Sequence, residues 1–260
     1  MFAAERISKI RDFLFEYKHV NVSTLSSILS VSEVTVRRDL EKLEKEGFLT
    51  KTHGGAIINE ELVPEVKLNR IEGPLFEEKR QIGIAAAQMI NNNDLIFLGE
   101  GNTCLQIAKN IKERKNLTIV TNSVNILLEL ANQSNINLIL AGGILQSIDS
   151  NFSLVGQFAE SMLSRLFVNK AFFSVNGITL SHGYTVNNTE QAQIYHVLMK
   201  NAGEVIVVAD YTKFGKRAFT QIAPIEAITK VITNVQVDNE YKKFFFENNI
   251  KIFTTIDNIC

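Results

Sequence analysis

With 260 residues, 45% of them hydrophobic, the chain is long enough to bury a small domain beside a larger one. A net charge of −1 and a pI near 6.5 supply no global basic field, which excludes a nucleic-acid-coating role and requires any nucleic-acid contact to come from a local cluster. Cys104 and Cys260 stand at no metal-ligand spacing and cannot make a disulfide framework, and no apolar run approaches the roughly 18 residues of a membrane span, so a soluble protein of a reducing cytoplasm is expected.

The predicted elements begin with a helix over residues 5–17, where Ile7, Ile10, Phe13 and Leu14 recur at helical spacing between Arg6, Lys9, Arg11 and Asp12. A short extended break at Val20, Asn21 and Val22 follows. Ser23 or Thr24 then caps a brief second helix with Leu25, Ile28 and Leu29 on its inner face. Residues 30–32 form the turn, Ser32 offers its hydroxyl as the next N-cap, and Val36, Leu40 and Leu43 make the buried stripe of a third helix ending near Gly47. Residues 48–52 and 56–59 read as short strands around the turn His53-Gly54-Gly55. Two short helices joined by a tight turn and followed by a β-wing have the layout of a winged helix-turn-helix.

Helical rotation carries Val34, Thr35, Arg38 and Lys42 to the side of the third helix opposite its apolar stripe. That face suits a DNA major groove, where valine meets a thymine methyl and arginine binds guanine O6 and N7 bidentately. Arg37, on the flank, is placed to grip phosphate, and Lys51 and His53 of the wing are candidate backbone contacts. Ser32 at the helix start and Gly54 at the wing tip complete the expected DNA-binding set. Glu41, Glu44 and Glu46 lie further along, where the helix leaves the groove. A protein-interaction module of the same shape is the alternative, and the outward Thr35, Arg37 and Arg38 argue against it. The run Ser32-Glu33-Val34-Thr35-Val36-Arg37-Arg38-Asp39-Leu40, with Leu43-Glu44, Gly47 and His53-Gly54-Gly55-Ala56, resembles the N-terminal signature of the DeoR family of bacterial transcriptional regulators. The resemblance implies a sequence-specific winged helix attached to a sugar-phosphate-sensing domain, usually acting as a repressor of sugar catabolism.

Between residues 57 and 78 the periodicity weakens around Glu60, Glu61, Pro64, Gly73 and Pro74. The expected organisation is a DNA-binding domain over residues 1–58, a linker over 59–78 and a second domain over 79–260. In the second domain strands are predicted at 94–98, 117–121, 136–141, 171–175, 205–209, 231–233 and 250–253, with helices through Leu105 and Ile111 and over 126–131. Apolar runs separated by helices point to a doubly wound, mostly parallel α/β sheet covered on both faces. Such sheets bind ligands at the carboxyl ends of their strands. There stand Gly99-Glu100-Gly101-Asn102-Thr103, Thr121-Asn122-Ser123 and Gly142-Gly143, while Val155-Gly156 opens another helix. The first loop lacks the third glycine of a dinucleotide fingerprint and the Gly-Lys-Ser/Thr ending of a P-loop, leaving an anion site or a structural strand-to-helix turn.

Those loops, with Leu154-Val155-Gly156, Asn176-Gly177-Ile178 and the run from Asp210 to Gly215, are also similar to the DeoR-family sensor domain. That resemblance implies a fold shared with ribose-phosphate isomerases and CoA transferases, and a phosphorylated sugar as effector. It places phosphate on the Gly101 amide, Asn102 and Thr103, adds contacts from Asn122 and Ser123, and takes positive charge from Lys213. Two departures stand out: Gly99 replaces an acidic residue and Asn102 a threonine of many members, and Glu100 is the neighbour able to replace the missing carboxylate. The expected effector set is Gly99, Glu100, Gly101, Asn102, Thr103, Asn122, Ser123, Gly142, Gly143, Asp210 and Lys213.

Asp210 and Lys213 are spaced like an acid/base pair or a loop ion pair, Glu190 like a base or a helix-dipole partner, and His182 and His196 read as structural or exposed. No nucleophile, base and orienter assemble, so a binding pocket without turnover is expected, with no cofactor and no metal. The reading is a repressor of a sugar catabolism or uptake operon that works as a homo-oligomer, dimer or tetramer, on double-stranded operator DNA and makes no membrane contact. An activator of the same architecture and a phosphosugar isomerase-like enzyme remain the alternatives.

Overall fold

The computed structural model describes residues 3–59, 75–148 and 151–255, and the chain divides into two compact units, Met1–Leu68 and Asn69–Cys260. Most of the expected linker, residues 60–74, lies outside the described residues, and the last residues assigned to it belong to a helix that starts at Phe76. Among the described residues no helix is long and apolar enough to cross a membrane.

The first unit runs α1 (Ala3–Tyr17), β1 (His19–Asn21), α2 (Val22–Leu29), α3 (Glu33–Lys45), β2 (Leu49–Thr52) and β3 (Gly55–Ile58). The three strands pair in the order β1-β3-β2, so the expected extended break is the third strand of the wing, with His19 opposite Ile57 and Asn21 opposite Gly55. Asn21, rather than Ser23 or Thr24, stands at the N-cap of α2, and both of those residues lie inside the helix. The inner face of α2 is Val22, Leu25 and Leu29; Ile28 is 48% exposed, because the helical rotation carries it to the edge of that stripe. On α3, Val36, Leu40 and Leu43 are buried as the spacing predicts. Its end is closed by two bonds, Gly47 N–H to the Glu44 carbonyl and Phe48 N–H to the Leu43 carbonyl, both 2.9 Å, which is the Schellman pattern.

The second unit continues with α4 (Phe76–Gln88), β4 (Leu95–Leu98), α5 (Asn102–Lys109), β5 (Leu117–Thr121), α6 (Val124–Leu130), β6 (Ile136–Leu140), β7 (Ile144–Ile148), β8 (Asn151–Val155) and α7 (Gln157–Leu163). It then runs β9 (Val168–Ser174), β10 (Gly177–Thr179), β11 (Gly183–Val186), α8 (Thr189–Asn201), β12 (Ala202–Val208), β13 (Thr220–Ala223), β14 (Lys230–Asn234), α9 (Asn239–Glu247) and β15 (Lys251–Thr255). Seven strands form one parallel sheet in the order β15-β14-β12-β9-β4-β5-β6. Alternate residues of its strands belong to two cores. Phe97, Val120, Phe173 and Val207 pack with α7, α8 and α9, whereas Ile96, Leu98, Ile119, Phe172 and Val208 pack with α4, α5 and α6. The chain winds outward from β4 through β5 to β6, then returns to place β9 on the other side of β4, so the winding direction reverses between β4 and β9. Two antiparallel additions were not expected from the sequence: the β7–β8 hairpin and a small sheet ordered β10-β11-β13.

Candidate functional site

On the first unit, Ser32 caps α3 by accepting from the Thr35 amide at 3.3 Å, and the two hydroxyls lie 3.0 Å apart, so Thr35 and the cap share one hydrogen-bonding unit. Val34 is 63% exposed beside it. The side chains of Arg38 and Lys42 are exposed on the same helix and make no hydrogen bond or ion pair among the described residues. Arg37 faces Glu33 one turn back at 3.6 Å. Lys51 lies 3.3 Å from Glu41 and 3.6 Å from Glu44, so these glutamates draw that cation toward α3. His53 and Gly54 are exposed at the hairpin tip, where the Gly54 carbonyl accepts from Val22 N–H at 2.9 Å and ties the wing to α2. Asp39, inside the recognition stripe, is buried and takes the Arg6 guanidinium through Nε at 2.7 Å and Nη2 at 3.2 Å. Sequence reasoning missed this pair because Arg6 and Asp39 are far apart in the chain. The ion pair fixes α3 against α1 and neutralises an acid on the recognition helix.

On the second unit a cleft of about 110 Å³ opens at the carboxyl ends of β4 and β9. This is the reversal point of the winding, where an open sheet leaves a crevice. Glu100 and Gly101 line it after β4, Ser174 and Asn176 after β9. Ile148 and Asn151 close it from the β7–β8 hairpin, and Asn187, Asn188 and Gln191 from the start of α8. Asn188 caps α8 through Oδ1, accepting from Glu190 N–H at 2.9 Å and Gln191 N–H at 3.3 Å, and its amide nitrogen donates to Gln146 of β7. Asn176 Oδ1 accepts from Asn187 N–H at 3.1 Å, binding two walls together.

Among the described residues no lysine or arginine lines the cleft. Burial pushes the Glu100 carboxyl above its usual range, and a hydrogen bond with Ser153 acts against that shift. Cys104, on the inner face of α5, is wholly buried, and burial pushes its thiol up to about 12, which makes it inert.

Of the expected effector residues, the cleft brings together Glu100 and Gly101, with Asn102 and Thr103 following at the start of α5. The Asn102 Oδ1 atom is buried without a partner. Gly99 lines no part of the cleft: a Cβ there would meet the Tyr195 hydroxyl at 2.6 Å, so that tyrosine fills the space an acidic side chain would need. Asn122 lies fully buried behind the cleft and acts through Gln191. Ser123 is a helix cap, its hydroxyl accepting from Ile126 N–H at 3.3 Å. Gly142 and Gly143 lead into β7 away from the cleft, with Gly143 against the Val155 backbone. Asp210 is buried and caps the turn Tyr211–Lys213, its Oδ1 accepting from Thr212 N–H at 3.1 Å while its Oδ2 is buried with no hydrogen-bond partner, and it forms no ion pair with Lys213. Neither residue is among those lining the cleft. Ser174, Asn176, Asn187, Asn188 and Gln191 were missed. For Ser174, Asn176, Asn187 and Asn188 the signal was the same as for the first loop, polar residues at the end of an apolar strand or before a helix, whereas Gln191, inside α8, carried none.

Two family patterns match the chain: the DeoR-like helix-turn-helix domain over residues 6–62 and the DeoR C terminal sensor domain over residues 76–235. The chain belongs to the DeoR family of transcriptional regulators. An uncharacterized HTH-type transcriptional regulator, YulB of Bacillus subtilis, is 34% identical over 97% of this chain and 96% of its own length. The lactose phosphotransferase system repressor of Lactococcus lactis is 32% identical, covering 96% of each chain. A solved ribose 5-phosphate isomerase from Methanocaldococcus jannaschii overlays 54% of this chain and 55% of its own at a TM-score of 0.40 and 15% identity. In this DeoR-family regulator the departure at Gly99 has a physical counterpart in Tyr195, which stacks on Phe173 with ring centroids 4.0 Å apart and donates to the Ser174 carbonyl at 3.1 Å.

Proposed function

We propose that this DeoR-family regulator is a sequence-specific repressor of a sugar catabolism or uptake operon, released from its operator by a phosphorylated sugar bound in the β4/β9 cleft. Residues 1–58 read DNA as one head of a homo-oligomer, residues 59–78 connect, and residues 79–260 sense the effector. The observation that carries the reading is the polar cleft at the reversal point of a doubly wound sheet, in a chain whose other unit presents Val34, Arg38 and Lys42 outward from a capped helix. The name of the lactose phosphotransferase system repressor supports both the sign of regulation and the sugar link. In this reading Val34 and Arg38 contact bases. Ser32, Thr35, Arg37, Lys42, Lys51, His53 and Gly54 hold the backbone. The Gly101 amide, Asn102 and Thr103 receive the phosphate at the start of α5.

The sensor unit binds without turnover. Asp210, the candidate base beside Lys213, has one carboxylate oxygen taken by Thr212 and is not among the residues lining the cleft. The test is fluorescence anisotropy of the full chain on DNA from its own upstream region, at stated salt, with sugar phosphates and their unphosphorylated parents titrated in. Release by a phosphosugar and not by its parent sugar is expected. No DNA binding by folded protein overturns the reading, product formation from the phosphosugar restores the isomerase alternative, and increased transcription from the same operator in vitro makes the protein an activator.

A further inference from the structure

The floor of the cleft holds a buried amide and a half-buried carboxyl of opposite hydrogen-bonding character. Gln191, 1% exposed, reaches it from the first turn of α8, and Glu100 from the end of β4. Both line the same small cleft.

The orientation of the Gln191 amide follows from a chain of hydrogen bonds. The Leu154 carbonyl can only accept, so the Asn122 atom 3.3 Å from it is the nitrogen Nδ2. The same nitrogen lies 3.1 Å from Gln191, which must therefore present Oε1 to it. Gln191 Nε2 is left buried with no hydrogen bond. Tyr195 beside it donates its own hydrogen to Ser174, so as an acceptor it has room for one of the two Nε2 hydrogens at most. Glu100, opposite in character, offers lone pairs in a cleft where no lysine or arginine stands among the described residues.

A hydroxyl meets both demands with one group: its oxygen accepts from Nε2 and its hydrogen goes to the carboxylate. A phosphate oxygen satisfies Nε2 and is repelled by Glu100, and an ammonium does the reverse. We propose that Gln191 and Glu100 read a neutral hydroxyl of the effector sugar, that Asn122 is the positioning residue for the Gln191 amide, and that the effector's phosphate lies away from this pair. The proposal rests on the phosphosugar reading above and names the part of the ligand that the cleft floor selects.

The test is calorimetric titration of the full chain with glucose 6-phosphate, galactose 6-phosphate, fructose 6-phosphate and fructose 1-phosphate, followed by the monodeoxy analogues of whichever binds. Removal of one particular hydroxyl should weaken binding about tenfold or more. Gln191→Met should weaken the parent sugar phosphate to a similar degree and weaken that deoxy analogue no further, and Glu100→Gln should show the same non-additivity. Asn122→Asp, which removes the donor to Oε1, should shrink the preference for parent over deoxy analogue, whereas a merely structural role would weaken both alike. Equal weakening of parent and every deoxy analogue in both cleft variants overturns the proposal and leaves the phosphosugar reading standing. Absence of binding by all four sugar phosphates to the wild-type chain overturns both.

Discussion

The two units of this protein present their working residues in opposite ways. The DNA-reading face is drawn from one helix and one hairpin, with its cations exposed around a bare valine. The cleft is assembled from residues between 100 and 191, draws no lysine or arginine from the described residues, and buries one amide, that of Gln191, beside a half-buried carboxyl. A face for a polyanion works by local spacing on one rigid element, whereas a pocket for a polyol works by closure of a sheet over long loops. The first is settled by rotation about a helix axis, the second by topology.

The separation into two cores can be broken or sharpened by substitution, and the largest effect is expected in the smaller unit. Leu40 is 1% exposed in the core of the first unit, and Leu40→Ala should destabilise that unit by about 2–5 kcal/mol. Calorimetry should show the first unit's transition lowered and the sensor's unchanged, and a single shifted transition would contradict the separation. Gly99→Ala should act only on the sensor, by about 1–3 kcal/mol, because its Cβ meets the Tyr195 hydroxyl. Adding Tyr195→Phe should recover part of that loss, and strict additivity in urea unfolding would deny the coupling.

On the DNA-reading face, Arg38→Ala should cost about 1–3 kcal/mol at one base position, while Arg37→Ala should weaken all sequences alike and flatten the salt slope. Arg37 already faces Glu33 at 3.6 Å, so its loss should be the smaller of the two. Equal binding of the Arg38 variant across operator variants would remove its base-reading role. Ser32→Ala removes the cap of α3 and should lower stability by about 1 kcal/mol, read from the same first transition.

The difference in construction also explains what the sequence makes legible. The winged helix follows from the period of Val36, Leu40 and Leu43, from Ser32 as cap and from a hairpin at His53 and Gly54, all local signals. What escaped there was long-range: β1 pairing with β3, and Arg6 meeting Asp39. In the sensor unit the seven parallel strands announce themselves as apolar runs because both of their faces are buried. The β7–β8 hairpin does not, since Ile144, Leu145 and Ile148 are exposed and alternate with nothing. Glu100 and Gly101 were legible as a strand-end loop. Gln191 was not, because its place opposite Glu100 depends on how α8 returns across the sheet, and the Gly142-Gly143 and Asp210-Lys213 loops share the polar composition of the cleft without its position.

The central claim is that ligand in the cleft and DNA on α3 oppose each other, and it is tested most directly by measuring the affinity of the releasing sugar phosphate by calorimetry with and without saturating operator DNA. Linkage requires operator to weaken sugar-phosphate binding by the same factor by which the sugar phosphate weakens operator binding, a coupling of about 1–3 kcal/mol. Identical affinity in the two titrations would contradict the account.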